Sequence, residues 1–277
     1  MKKDKKIEKS KVFYKLYLVN IVITIVFICL ISLLCSTFSS RLILNNFIAF
    51  NEDMIAEKVN VLDDRVKHLD ETVDLIIGDE STFKFLMTNE KEYEKPTAIL
   101  KIIRRFRNIC SSNSLVRGIC LVDLQRQIVI TENTKMTVEG NRYDRYQGQN
   151  SFVVIDDGEE RKLEFVKRFE PIRGKKVVYM ILTVDEEVFT SNLLVGKESE
   201  MLKSCLMTRQ GDVLTADGLD ECAPAVQKEL QGLEKGTERF ETSGQKLVLY
   251  KNPSKVSDMS IAAYEDYTYL ERQTREL

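Results

Sequence analysis

Residues Leu16–Phe38, LYLVNIVITIVFICLISLLCSTF, contain no charged side chain over 23 positions. At about 1.5 Å rise per residue a helix of this stretch is roughly 35 Å long, enough to cross a hydrocarbon core of about 30 Å. The stretch constrains the fold more than any other, because every later segment must be placed relative to a membrane. It exceeds the apolar part of a cleaved signal peptide, about 7–15 residues, and Cys35-Ser36-Thr37-Phe38-Ser39-Ser40 offers no A-x-A site. Leu34 before Cys35 and Ile28 before Cys29 are not the small residues that lipoprotein processing requires. Residues 16–38 are therefore read as an uncleaved transmembrane helix.

Charge orients that helix. Residues 1–15 carry seven lysines against Asp4 and Glu8. Of chain totals of 41 basic and 43 acidic side chains, this leaves 34 and 41 for the rest. A lysine-dense flank before a first span holds that end in the cytoplasm. The reading is a cytoplasmic basic tail (1–15), a single-pass membrane helix, and an extracytoplasmic portion after residue 38 that is mildly acidic and gives no reason to expect nucleic-acid binding. Cys29 and Cys35 lie in the span, and Cys110, Cys120, Cys205 and Cys222 lie beyond it. Their spacing fits no metal site, and buried free thiols are favoured over disulfides.

The helix is expected to continue through residues 39–79. Ile55, Val59, Leu62, Val66, Leu69, Val73 and Ile76 recur at steps of 4 and 3, a heptad seam with valine at the inner a positions. β-branched a residues with Leu at d favour a parallel two-stranded coil. Lys58 and Arg65 would then face Asp63 and Asp70 of a partner, and the seam would be a homodimer interface. The same stripe equally suits packing against the protein's own sheet. Gly78 with Asp79-Glu80-Ser81 ends the helix. His68, the only histidine, falls on the solvent side.

Residues 82–110 read as helical, with Pro96 starting the better part. Val116–Val122 and Gln127–Thr131, separated by a polar turn, give a hairpin signal. Ser151–Ile155, Leu163–Phe169 and Lys176–Val184 read as three more strands. Asp185-Glu186-Glu187 suits a helix start running on through Val188, Phe189, Leu193 and Leu194. The pattern then repeats. Cys120-Leu121-Val122-x-x-Gln125-x-x-Ile128-Val129 returns as Cys205-Leu206-Met207-x-x-Gln210-x-x-Val213-Leu214. Ile181-Leu182-Thr183-Val184-Asp185-Glu186 is answered by Ile261-Ala262-Ala263-Tyr264-Glu265-Asp266. The fold class is α+β: a long helix, then two duplicated modules with antiparallel sheets, at 80–195 and 196–277. Tyr264–Leu277 reads as the start of a further helix.

A lysine-flanked anchor, a long membrane-proximal helix and two tandem modules of this order together resemble the double Cache family, PAS-like extracytoplasmic sensor regions of bacterial receptors. Lys176–Phe189 looks like the last strand and following helix of the membrane-distal module, and Met259–Leu270 like the same end of the proximal one. The resemblance implies that the distal module binds a small molecule and the proximal one passes the change to a following span. The output would be a histidine kinase, a chemotaxis region, a cyclic-di-GMP enzyme or an AraC-type regulator. The chain departs from the amino-acid-binding subgroup. It has no tryptophan, Asn141-Arg142-Tyr143-Asp144-Arg145-Tyr146 stands in place of the motif, and Thr183 stands where an acid is expected. No second span or output domain follows, so a fragment of a longer receptor is expected.

No enzyme motif, cofactor motif or metal spacing is evident, and catalysis is not expected in these residues. The candidate ligand residues are Arg142 and Arg145, whose forked donors suit a carboxylate or phosphate, Tyr143 and Tyr146, which pack and hydrogen-bond at once, and Thr183. An unidentified small molecule, the membrane and a second copy of the chain are the expected partners. The alternative function is a membrane-anchored scaffold that binds another protein and no small molecule.

Overall fold

The structure, a computed structural model, describes residues 2–87, 96–138, 143–146, 148, 150–156, 161–172, 176–194, 202–208, 213–217, 224–242, 245–266 and 268, with side chains from residue 14 onward except at 144, 156, 172, 176, 216, 217, 224, 225 and 242. Helix α1 runs unbroken from Lys2 to Gly78, 77 residues. No glycine or proline interrupts residues 2–77, so nothing in the backbone stops it earlier. Asp79 then accepts hydrogen bonds from the backbone of Ser81 (3.1 Å) and Thr82 (3.2 Å) and starts α2, Glu80–Met87. Helix α3 spans Pro96–Ser112. Its first residue is a proline, which costs nothing where the N–H has no helical partner.

Two antiparallel sheets follow. The first contains β1 (Val116–Asp123), β2 (Ile128–Thr131), β3 (Lys135–Thr137), β4 (Phe152–Asp156), β5 (Arg161–Ile172) and β6 (Lys176–Val184), in the spatial order β3-β2-β1-β6-β5-β4. After α4 (Glu186–Thr190) the second contains β7 (Leu202–Thr208), β8 (Val213–Asp217), β9 (Gly236–Thr242), β10 (Gln245–Pro253) and β11 (Met259–Asp266). Helix α5, Pro224–Gly232, lies between β8 and β9, and the order is β8-β7-β11-β10-β9. Strands β2-β1-β6-β5-β4 thus recur as β8-β7-β11-β10-β9. The duplicated phrases lie on matching strands, but the second match slips by one residue. Cys120 pairs with Ile181, whereas Cys205 pairs with Ala262. The counterpart of Ile181 is therefore Ala262, and Val184 corresponds to Glu265. A one-residue slip exchanges sheet faces, and Ile261 accordingly lies in the core on the α1 side.

Each sheet has an inner face on the helices and an outer face of its own. One continuous core joins α1, α2 and α3 to the inner rows of both sheets, including Ile119, Leu121, Met180 and Leu182 of the first and Leu206, Val248, Tyr250 and Ile261 of the second. The seven residues of the heptad seam are all part of it, at 0–3 % exposed. The seam is thus covered by the chain's own sheets, which corrects its reading as a dimer interface. The charges beside it are used internally as well. Asp63 accepts from Ser254 Oγ (2.6 Å) and the backbone N–H of Lys255 (3.2 Å). Arg65 donates to the carbonyls of Val188 and Phe189, and Asp70 pairs with Lys167. Full burial of a side chain of this size contributes about 1.5–3 kcal/mol, so the stripe binds helix to sheets more strongly than any surface charge pair.

Two further elements differ from expectation. Helix α4 stops at Thr190, because Ser191 is extended and Asn192 has φ 58°. Arg65 takes the carbonyls that another turn would have used. Tyr264–Asp266 belong to strand β11, not to a terminal helix. Among the described residues Cys110, Cys120 and Cys205 form no disulfide, and burial pushes the Cys110 thiol up to about 11; Cys222 lies outside the described residues. His68 is exposed.

Along α1, the large apolar side chains from Tyr14 to Phe38 touch nothing that shields them, from Ile21 at 41 % exposed to Phe38 at 71 %. This is the one described helix long and apolar enough to cross a membrane.

Candidate functional site

The outer face of the first sheet builds a recess of about 410 Å³. Strand alternation decides its floor. Val178, Met180, Leu182 and Val184 of β6 face the helices, so Ile181 and Thr183 face outward and line the recess. On β5 the same rule sends Leu163 and Phe165 inward and Lys162 and Glu164 outward. On β1 it leaves Gly118 and Cys120 on the outer side. Register aligns them across the sheet: Gly118 and Glu164 are the two partners of Thr183, and Cys120 is paired with Ile181. Tyr143, Arg145 and Tyr146 at the turn Asp144–Tyr146, Glu132 just after β2 and Met136 of β3 close the recess.

Polar groups converge on this floor. Tyr146 is 6 % exposed, and its hydroxyl donates to Glu164 at 2.6 Å. Burial and the neighbouring Glu164 push that hydroxyl far above its ordinary pKa, so it remains a donor at any physiological pH. Tyr143 packs beside it at 6.1 Å between ring centroids. Opposite, Glu132 accepts from the backbone N–H of Ile119 at 3.2 Å and from Asn133 Nδ2 at 2.8 Å. At the rim, Arg117 Nε lies 2.7 Å from Asp185, which also caps α4 through the backbone N–H of Val188. Burial raises the Asp185 carboxyl, but the Val188 N–H and the Arg117 guanidinium outweigh it and hold it below the usual carboxylate range.

Gly118 lies within β1 and not in a turn. A Cβ there would meet Thr183 Oγ1 at 3.4 Å and come within 3.7 Å of Glu132 Oε2. The missing side chain therefore leaves the floor open between the threonine and the acid. Arginines and a lysine at the rim and two glutamates below give the recess both signs of charge. Such a site suits a small polar molecule that carries donors and acceptors at opposite ends.

Four of the sequence candidates, Tyr143, Arg145, Tyr146 and Thr183, line this one recess. Arg142 lies outside the described residues. Sequence reasoning missed Glu132, Lys162, Glu164 and the floor role of Gly118. Glu164 carried a signal, as a lone acid in the apolar strand Leu163-Glu164-Phe165-Val166. Glu132 carried none, since it belongs to a polar loop like many others. Among the described residues, no group of three or more His, Cys, Asp or Glu is placed to hold a metal ion.

A second recess of about 430 Å³ opens between α1, β4, β5 and the β10–β11 turn. Its lysine of β5, Lys167, is held by Asp70 and lies 3.4 Å from Asp74. It is a seam between the two sheets more than a converging site.

No protein-family model matches the sequence, and no curated protein matches it. Solved structures do match. The sensory domain of the Campylobacter jejuni chemoreceptor Tlp3 with isoleucine bound aligns with a TM-score of 0.59 at 10 % identity, covering 84 % of this chain and 98 % of that one. The ligand-binding domain of the same receptor in complex with L-valine gives 0.60 at 10 % identity, with the same coverage of 84 % and 98 %. The extracellular domain of a candidate histidine kinase, vpHK1S-Z8, gives 0.58 at 10 % identity, covering 83 % and 98 %. At this identity the likeness is one of fold. The chain has the α+β, double Cache-like fold of extracytoplasmic sensory domains, as its motif order led us to expect.

Proposed function

We propose that this chain is the extracytoplasmic sensory region of a membrane signal-transduction receptor, and that it binds a small polar molecule in the outer recess of its first sheet. The observation that carries this reading is the convergence of Tyr143, Arg145, Tyr146, Glu164 and Thr183 around one open space of about 410 Å³. Structural neighbours that hold isoleucine and L-valine support a small-molecule ligand. The ligand class proposed is a molecule with a cationic or donor end for Glu132 and Glu164 and an anionic end for Arg145 and Lys162. The lysine-flanked helix anchors the region with its N-terminus in the cytoplasm. No catalytic step is assigned to these residues. The open recess supports a sensor over a scaffold that binds only protein.

Transmission requires that the ligand favour one arrangement of the molecule over another. Strand β5 offers a route. Lys162 and Glu164 line the recess, and Arg161, beside them, donates to the carbonyls of Val213 (3.2 Å) and Leu214 in β8 of the second sheet. The proposal includes a homodimer. With the seam buried internally, pairing falls to the other side of α1, where Phe50 and Leu75 are 64 % and 63 % exposed. Light scattering on the full chain in detergent tests this, and a single-chain protein mass would remove it.

The ligand reading is tested by thermal melting of the full chain in detergent against a broad panel of amino acids, amines, organic acids and sugars. A binder at a hundred times its Kd stabilises by about 2.7 kcal/mol, a readily measured rise in Tm. Tyr146→Phe and Glu164→Gln should abolish that rise while the unliganded protein still melts cooperatively. Silence across the panel, or a shift that both variants retain, would overturn the assignment.

A further inference from the structure

The second sheet carries an ionisable group in a place where the first carries none. Val184 and Glu265 occupy equivalent positions near the ends of β6 and β11. Val184 is 3 % exposed and pairs with Val116 and Leu163. Glu265 is 1 % exposed and pairs with Leu202 and Val248. Both stand on the inner face, against the helices. A carboxyl therefore occupies a site that the sister module fills with valine.

Its surroundings are sparse. Asn51 of α1, itself 2 % exposed, donates from Nδ2 to Glu265 Oε2 at 2.9 Å and lies 3.4 Å from the Tyr250 hydroxyl. Among the described residues, Glu265 Oε1 has no hydrogen-bond partner. The titratable groups around it are Tyr250 on β10 and Asp266 on β11 itself, and Glu52 on α1 lies near Tyr250. Strand β7 presents Leu202 directly opposite, and its Lys203 is paired with Tyr264, whose side chain belongs to the other face of the sheet. Beyond Val248 in the same cross-strand row, β9 carries Arg239, which is exposed. Burial pushes the Glu265 carboxyl up, the Asn51 hydrogen bond draws it down and Asp266 raises it again, to about 7.

We propose that Glu265 is a proton-binding site by which the pH outside the membrane sets how tightly α1 is held against the second sheet. Protonated, the neutral carboxyl sits in the core with Asn51 and Tyr250. Ionised, it leaves a buried charge with one donor and Asp266 nearby, and the arrangement is relieved by parting α1 from β11 and admitting water. Helix α1 continues without a break from Asn51 back to the apolar span, so a displacement there is carried along a rigid rod. The sign follows from proton linkage. In the unfolded or parted state the carboxyl titrates near its ordinary value, about 4.3. Between that value and about 7 the closed state holds the extra proton, so closure weakens as pH rises through this window and levels off above it. Acid tightens the contact and neutral pH loosens it. This response requires no ligand in the outer recess and is independent of that reading.

The test uses the full chain in lipid nanodiscs without added ligand. Hydrogen exchange, corrected for the intrinsic pH dependence of exchange, is followed at residues 48–55 and 259–266 from pH 5.5 to 8. The wild type should lose protection by about tenfold or more, while Glu265→Gln, a neutral copy of the protonated state, should stay protected throughout. Infrared titration should show a protonated carboxyl lost near neutral pH in the wild type and missing from Glu265→Gln. Glu265→Val, which copies the sister module, should also be insensitive to pH. Equal pH dependence in wild type and variants would overturn the proposal. So would a wild type whose protection and infrared signal do not change, an outcome that can be read even if a variant fails to fold.

Discussion

Asp63 shows how one side chain can change role once the chain is folded. As a heptad flank it looks like half of a surface ion pair, worth a few tenths of a kcal/mol at most. In the structure it is 5 % exposed and anchors the β10–β11 turn. Ser254 Oγ donates to it at 2.6 Å, while that same oxygen accepts from the backbone N–H groups of Val256 (3.2 Å) and Ser257 (2.9 Å). Asp63→Ala would leave Ser254 and the Lys255 N–H without their acceptor, at a cost of about 1–3 kcal/mol. Urea unfolding should show the loss, and exchange should accelerate at residues 254–258; an unchanged midpoint would refute the anchor. Glu164 and Glu265 teach a related lesson. Each is a charged residue inside an apolar strand, and that pattern is visible in the sequence. Which partner each meets is not, because Tyr146 is 18 residues from Glu164 and Asn51 is 214 residues from Glu265.

At the scale of elements, the periodicity of α1 specified a helix and a stripe correctly but could not say what covers it. A valine and leucine seam is equally content against a second helix or a sheet, since apolar burial is not directional. The two readings differ in a measurable way. Leu62, at 0 % exposed, touches only its own chain, so Leu62→Ala should cost about 2–5 kcal/mol whatever the protein concentration. A loss of stability that deepens on dilution would restore the dimer seam. The strands tell a similar story. Their positions were legible from alternation and turn residues, and so was the duplication. The slip between Ile181 and Ile261 was not, because matching letters do not reveal which face a residue takes; only pairing with Cys120 and Cys205 does.

The whole molecule is a rod carrying two sheets that, among the described residues, touch each other at few points. Arg161 is one of them, reaching from β5 to the carbonyls of Val213 and Leu214 in β8. If β5 carries the signal, Arg161→Ala should leave ligand-induced stabilisation of the first sheet intact. It should also remove any ligand-induced change in hydrogen exchange across β7–β11. A variant that still relays the change would assign the route to α1 alone. What the sequence determined by itself was the charge-free apolar segment, the long helix, the α+β class and the doubled strand order, since each depends on local spacing of apolar, charged and turn residues. Tertiary structure decided the rest. It put the heptad seam inside, set Tyr143, Arg145, Tyr146 and Thr183 around the same floor as Glu132 and Glu164, and buried Glu265 where the sister sheet has Val184. Those outcomes depend on register and on contacts between residues far apart in the chain, and no local pattern encodes them.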